Sequence, residues 1–545
     1  MEKYLIFSEK NPIYLLCGIL VVAIVFRLYN FDETIPLSMD AVQFFSYAAD
    51  ITTVGRLPES YDIAKPGWSY FLAAIFSVFN FEQTMQYMQL QKLLTISISS
   101  LTILPLFFLI KKFFTSKYSL LGVLLFAAEP KIIQNSLSGN AEPLFIITLI
   151  VTILLFLNKN EKITYCAFIF AGIATCIRPE GLFLFLGITV MFIIRFRRQR
   201  IVIPKYFIGL VLFLLIIAPI SIHQYQVGMY ESAPVRVYST INSFFISEEN
   251  LPDLGTDAST NIASDAMGES ILKKDYAKLV ITSVTNFSKY LGWTLIPMFI
   301  LLAPLGFIMF FRNIKIEKLT LIILTGIMSI PAFYAYSFPL LEIKYLYFLF
   351  PMFCIFSTYS LRLFIEKFHF KKILLGICFV AIITSSILFI DLKFDNTHER
   401  ESAFIASYVV ENTKVVNDYS PESKYIWGFD VPKKWTEYKV FYENMDRVEN
   451  VNVSKVELHH PRQVWVKDPN NFESLESFLS NSERGNISHL VLDGKTDRTE
   501  FLNEIFYNED KYEFLNKIYD STDDGLEYHV KIFEVNYDLF ENGDI

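Results

Sequence analysis

The sequence predicts an α-helical polytopic membrane protein of about eleven transmembrane helices with a small C-terminal extracytoplasmic α/β domain. Three observations predict it. More than half of the 545 residues are hydrophobic (53%), with 53 Phe among them, which is beyond a soluble domain and excludes a disordered chain. Apolar windows approaching the roughly 20 residues that a bilayer core requires recur down to Asp391. Lysines and arginines gather after alternate windows, as they do in a chain that crosses repeatedly with its basic loops inside.

In chain order the spans fall near 12–29, 90–110, 118–134, 141–157, 163–178, 180–195, 203–222, 288–311, 318–337, 343–362 and 372–391. Lys111, Lys112 and Lys117 follow the second, Lys159 and Lys162 the fourth, and Arg195, Arg197, Arg198, Arg200 and Lys205 the sixth. Arg312, Lys315 and Lys318 follow the eighth, and Arg362, Lys367, Lys371 and Lys372 the tenth. The first outer loop (30–89), a large outer loop (223–287) and the tail (392–545) are then extracytoplasmic, and residues 1–391 form the transmembrane domain. The run Trp68 to Phe81 is apolar but too short to span, and a crossing there would invert every later loop, so it reads as an interfacial or re-entrant helix. In the tail, helix-like segments (400–412, 498–506) alternate with strand-like ones (489–492, 528–535), and Asp523 and Asp524 sit in a hairpin turn.

Charge separates the two parts. From Leu392 onward 17 basic residues face 31 acidic ones, a balance of −14, which leaves 31 against 25, or +6, for the body. Nucleic acid is excluded as a partner, because the tail repels phosphates and the basic residues of the body sit at membrane edges. All five cysteines lie in apolar runs, which gives neither a disulfide framework nor a thiolate metal site, and His459 and His460 lack zinc-ligand spacing. Lys3 and Lys10 precede the first apolar run as in a signal peptide, but no small-residue cleavage site follows, so a retained helix is expected. The sequons at Asn286, Asn452 and Asn486 fall in expected outer segments.

The candidate chemistry gathers at the outer edge. Asp40 opens an amphipathic segment in which Val42, Phe45 and Ala49 recur near helical spacing, a helix expected on the membrane surface. A carboxylate there can act as general base or cation ligand, or simply as an N-cap. Arg178 and Glu180 share a tight turn between two spans, where a pair of charges is costly unless they bond each other or serve a site. Glu142 starts the fourth span, where a first-turn acid also suits the helix dipole. Lys344 and Tyr345 start the tenth, where a lysine can also snorkel. Lys65, Arg178 and Lys344 thus converge at one depth with Asp40 and Glu142, a setting for cations that bind a lipid-linked phosphate beside an acid that activates an acceptor.

These stretches carry a family resemblance. FRLYNF at the end of the first span, the loop with Asp40, KPGWSYFLAAIF, AEPLF, GIATCIRPEGLFLF and EIKYLYFLFP resemble membrane glycosyltransferases of the GT-C class. The likeness covers residues 12 to about 391 and is closest to the branch of protein O-mannosyltransferases and lipid A aminoarabinose transferases, in a form common among archaea. It implies a GT-C-like fold, a polyprenyl- or dolichyl-phosphate sugar donor, and an extracytoplasmic protein, glycan or lipid acceptor, with inversion at the anomeric carbon. On the same basis Asp40 is the general base or metal ligand, and Glu142 orients a group or helps bind a divalent cation. Lys65, Arg178, Lys344 and Tyr345 hold the donor phosphate. Ala41 stands where some members have Glu, and Gly67 follows Lys65 and Pro66 where many have a second Pro. The tail lacks the WWDYG string of oligosaccharyltransferase catalytic subunits. The reading from another class is a transporter or flippase of a lipid-linked glycan with a C-terminal binding domain, which calls for polar groups and broken helices at the midplane.

Overall fold

A computed structural model describes residues 12–33, 35, 37, 39–58, 62–79, 84–198, 202–227, 276–337, 342–393, 397–412, 425–428, 474–480, 487–494 and 500–542. Most of the 223–287 loop lies outside these residues, as do His459, His460, Asn452 and the sequon of Asn486. The first part of the chain is a helical bundle: α1 (Pro12–Tyr29), α2 (Met39–Val54), α3 (Gly67–Phe76), α4 (Thr84–Leu101), α5 (Ile103–Ile110), α6 (Ser116–Ala127), α7 (Pro130–Leu137) and α8 (Glu142–Phe156). It continues with α9 (Glu161–Ile177), α10 (Gly181–Phe196), α11 (Val202–Gln226), α12 (Tyr276–Leu295), α13 (Leu302–Phe310) and α14 (Ile316–Ser337). A 3-10 turn (Ile343–Leu349) leads into α15 (Phe350–Glu366), and α16 (Lys371–Lys393) closes the bundle.

Six described helical stretches are long and apolar enough to cross a bilayer: Pro12–Tyr29, Gln86–Ile110, Val202–Gln226, Ile316–Ser337, Ile343–Glu366 and Lys371–Ile390. The expected crossings at 141–157, 163–178 and 180–195 are α8, α9 and α10, of 15, 17 and 16 residues. Two expected spans are broken. The run 118–134 divides into α6 and α7 where Glu129 caps a helix that starts afresh at Pro130, a residue without an N–H to continue the first one. The run 288–311 divides into α12 and α13, with Pro297 in the break.

The expected surface helix at Asp40 is α2, and it differs from expectation in its surroundings. From Ala41 to Asp50 only Gln43 is exposed, because α3, which falls on the short run Trp68 to Phe81, packs across it: Ser69 Oγ donates to Phe44 O at 2.9 Å. Its amphipathic pattern therefore marks an internal helix whose open side begins at its first turn.

The tail folds as expected from its alternation. After α17 (Thr397–Asn412) come β1 (Tyr425–Gly428), α18 (Leu475–Ser480), β2 (Ile487–Asp493), α19 (Glu500–Tyr507), β3 (Leu515–Asp520), β4 (Val530–Val535) and α20 (Tyr537–Asn542). The strand order is β1-β2-β4-β3, with β1 parallel to β2 and the other two pairs antiparallel. Side chains alternate across it. Leu490, Leu492, Phe533 and Val535 pack with Phe501 and Ile505 of α19, while Val491, Val530 and Ile532 pack with Ile405 of α17. Asp523 and Asp524 lie in the β3–β4 turn, where Gly525 takes φ +72°. Arg400 Nε of α17 donates to Asp32 Oδ2 at 2.6 Å, which ties the tail to the loop that follows α1.

Candidate active site

The loop before α2, the turn before α3, the starts of α8 and α10 and the 3-10 turn meet at one rim of the bundle. Buried polar groups fix their positions. Gln91 of α4, fully buried, donates its side-chain N–H groups to Ala41 O at 3.0 Å and to Gly139 O at 2.8 Å. Trp68 Nε1 donates to the same Gly139 carbonyl at 3.0 Å. The Gln91 amide and the Gly139 carbonyl together tie α2, which carries Asp40, to α3, which follows Lys65, beside the turn that leads to Glu142. Gly139 has φ +74°, and a Cβ there would lie 2.5 Å from Leu37 Cδ2, so the turn needs glycine. Lys92 Nζ donates to Asp32 O and Ile35 O at 2.7 and 2.8 Å and holds the chain between α1 and α2.

The segment 62–67 presents Lys65. Gln224 of α11 donates to Ile63 O at 2.9 Å, and Asp62 Oδ1 accepts the Ile63 N–H at 2.6 Å. Burial pushes the Asp62 carboxyl up, and hydrogen bonds that include the Tyr47 hydroxyl only partly offset it. Gly67 packs on the last turn of α9, where a Cβ would lie 2.8 Å from the Cys176 backbone. Lys65, itself half-buried, is therefore delivered beside the Arg178 turn.

Arg178 ends α9 in extended conformation and turns its guanidinium into the bundle. Nε and Nη2 donate to Glu180 at 3.1 and 2.7 Å, and Nη1 donates to Glu142 Oε1. All three side chains are more than 90% buried, so one arginine binds two carboxylates away from water. Burial raises the Glu180 carboxyl, but Arg178 outweighs it and holds the group down at about 2. Among the described residues Glu142 Oε2 has no hydrogen-bond partner. The expected first-turn acid of α8 is thus a buried partner of Arg178, and the Arg178–Glu180 contact expected at the turn is present.

Asp40 and Lys344 form the open part. Lys344 Nζ donates to Asp40 Oδ2 at 3.0 Å and to Glu342 Oε2 at 2.7 Å. The Asp40 side chain is 46% exposed and that of Lys344 23%. Asp40 lies in the first turn of α2, and one of its oxygens accepts from Lys344. Burial alone would raise its carboxyl, but Lys344, Lys65 and Arg178 together hold it below the ordinary carboxylate value. Tyr345 lies beside this group, its ring 5.8 Å from Lys344 Nζ and facing Tyr336. The structure thus gathers Asp40, Lys65, Glu142, Arg178, Lys344 and Tyr345 at one rim.

Among the described residues no group of three His, Cys, Asp or Glu side chains could hold a metal, and the Lys344 ammonium occupies the space between Asp40 and Glu342.

Sequence reasoning missed Gln91, Lys92, Asp62 and Arg27. Arg27 is fully buried near the end of α1 and binds Ser99 Oγ at 3.0 Å with the Ala23 and Ala127 carbonyls. The available signal was the cost of a polar or charged side chain inside an apolar run, which implies a partner in the bundle. Asn286 is a half-buried residue within α12 whose amide donates to Tyr336 O at 3.0 Å, so that sequon is occupied by packing.

The same fold occurs in solved structures, and part of the chain matches a family model. Residues 64–223 match the family described as dolichyl-phosphate-mannose-protein mannosyltransferase. The chain is similar to the oligosaccharyltransferase of Archaeoglobus fulgidus in its apo form (12% identity, TM-score 0.55, covering 89% of this chain and 70% of that one). The archaeal oligosaccharyltransferase AglB from Archaeoglobus fulgidus, in complex with an inhibitory peptide and a dolichol-phosphate, gives 11% identity and a TM-score of 0.52, over 92% and 72% of the two chains. ArnT from Cupriavidus metallidurans bound to undecaprenyl phosphate gives 12% identity and a TM-score of 0.50, over 95% and 97%. No curated protein matches at a significant level. The chain thus shares the fold of these solved membrane glycosyltransferases, and the mannosyltransferase family model matches the segment 64–223. The match to the mannosyltransferase family spans α3 to α11 from the turn that holds Lys65, and so includes Glu142 and Arg178.

Proposed function

We propose that this protein transfers a sugar from a polyprenyl- or dolichyl-phosphate donor to an acceptor hydroxyl or amide on the extracytoplasmic side of the membrane. The observation that carries the reading is the contact between Lys344 and Asp40 at the half-open rim. An ammonium has three donors, and Lys344 spends two on Asp40 and Glu342, which leaves the third for an oxygen of the donor phosphate.

In this reading the Asp40 carboxylate takes the proton of the acceptor O–H or N–H as the acceptor atom bonds to the anomeric carbon. The bond from that carbon to the lipid phosphate oxygen breaks, and the oxygen leaves with the electron pair. Lys344 and Lys65, with Tyr345 beside them, stabilise the phosphate as its charge grows. Arg178 spends its donors on Glu142 and Glu180, and so keeps the turn beside Lys65 and the start of α8 in register rather than holding the phosphate directly. Inversion at the anomeric carbon is what the resemblance implies, and it requires the acceptor to enter from the face opposite the leaving phosphate.

The position of these residues supports transfer over a flippase: each lies at or beside a helix end rather than at mid-span. Reconstituted protein is tested with dolichyl- and undecaprenyl-phosphate sugars for label transferred to acceptor or water. Transfer abolished by Asp40→Asn supports the reading. Lipid translocation without glycosidic cleavage by any donor would replace it with the flippase.

A further inference from the structure

At the end of the bundle opposite the Asp40 rim, α5 and α8 finish side by side and enclose a cleft of about 480 Å³. Its wall is apolar, made by Phe108 of α5 and Leu154 and Leu155 of α8, and its mouth carries Lys111, Lys112 and Asn158. We propose that this cleft binds an anionic phospholipid of the leaflet at that end, with an acyl chain along the apolar wall and the headgroup phosphate on Lys111 and Lys112.

Charge complementarity identifies the occupant. Among the described residues neither Lys111 nor Lys112 forms an ion pair, although both are exposed at the end of a span. A second cavity of about 330 Å³ shares both lysines and adds Lys117 and Arg362; its acid, Glu366, is bonded to Arg362 at 2.9 Å. The region therefore has three lysines in excess over its acid. A helix C-terminus normally repels an anion, but here Arg195 caps α8 by donating to the carbonyls of Phe156 and of Asn158, the latter at 2.5 Å. The wall distinguishes a lipid from free phosphate: Phe108 is 55% exposed and faces outward from an apolar span, so the cleft opens to acyl chains as well as to water. It also lies apart from the candidate active site, since α8 runs from Glu142 to Phe156 and separates the two by roughly 21 Å.

The test uses delipidated full-length protein in detergent and native mass spectrometry. Phosphatidylglycerol is expected to be retained in preference to phosphatidylcholine, and each lysine changed to Gln lowers that preference by about fivefold. Lys111→Arg with Lys112→Arg restores it. Leu154→Trp fills the cleft while leaving every charge in place, and is expected to reduce retention of phosphatidylglycerol. Equal retention of the two lipids, loss of preference in neither Lys→Gln variant, or full retention by Leu154→Trp would overturn the proposal. So would complete competition by millimolar inorganic phosphate, which marks a free-anion site, or retention of undecaprenyl phosphate alone, which assigns the cleft to the donor. The readout is lipid binding, so it stands independently of sugar transfer.

Discussion

Lys344 Nζ lies 3.0 Å from Asp40 Oδ2, a contact between residues 304 positions apart, and the same ammonium lies 2.7 Å from Glu342. Despite its burial, the Asp40 carboxyl is thereby kept below its ordinary value by Lys344, with Lys65 and Arg178.

Asp40→Asn tests the base. Asn retains the size of Asp and much of its compatibility with a helix start, so folding is retained. Turnover is expected to fall by about 100-fold or more with donor binding near wild type. Steady-state transfer and a donor-binding assay separate the two, and near-normal transfer removes Asp40 from the chemistry.

Lys344→Ala and Arg178→Ala are expected to differ in kind. Lys344 is partly open, so its loss weakens donor binding or turnover by about 2 kcal/mol or more with little change in melting temperature. Arg178→Ala strands Glu142 and Glu180 in the interior at a cost of about 3–5 kcal/mol in stability. Thermal melting beside donor binding reads both, and a fully stable Arg178→Ala would refute the structural share of that role.

The pH dependence of stability follows from Glu180. Its folded value of about 2 lies below the ordinary 4.5, so its contribution is complete above pH 4.5 and is lost as pH falls toward 2. That contribution is on the order of 3 kcal/mol. Melting curves between pH 7 and pH 3 should show the loss, and Glu180→Gln should flatten the acid limb. Asp40 shifts the same way, so the acid limb of activity is expected below its ordinary 3.8.

Gln91→Leu removes both donors from the Ala41 and Gly139 carbonyls while keeping an apolar side chain of similar reach. Loss of these buried hydrogen bonds costs about 1 kcal/mol each, with the Gly139 carbonyl keeping its bond from Trp68. Turnover is expected to fall more than donor affinity, because the Asp40 helix loses its tie to the turn before Glu142. Equal loss of both would make Gln91 a general stabiliser only.

Topology is checked with cysteines at Asp523 in the tail turn and at Lys112, in protein whose exposed Cys17 is Ser. An impermeant thiol reagent applied to intact cells should label the first and reach the second only after lysis. The reverse pattern would invert every assignment of side.

Some of this protein is written locally in its sequence. Helix and bilayer fix how much apolar length a span needs, so the bundle, the basic ends, the short α3 and the tail alternation were all legible before any coordinates. Resemblance then marked Asp40, Lys65, Glu142, Arg178, Lys344 and Tyr345. Tertiary structure decided how those charges are used. Nothing within a few residues of Arg178 shows that Glu142 shares it with Glu180, nor does the lysine in EIKYLY reveal that it faces Asp40. The breaks at Pro130 and Pro297 and the burial of α2 were likewise settled by neighbours. Hydropathy reports how a segment meets lipid, which is a property of its own side chains, whereas a buried charge is satisfied by whichever distant element the fold carries to it.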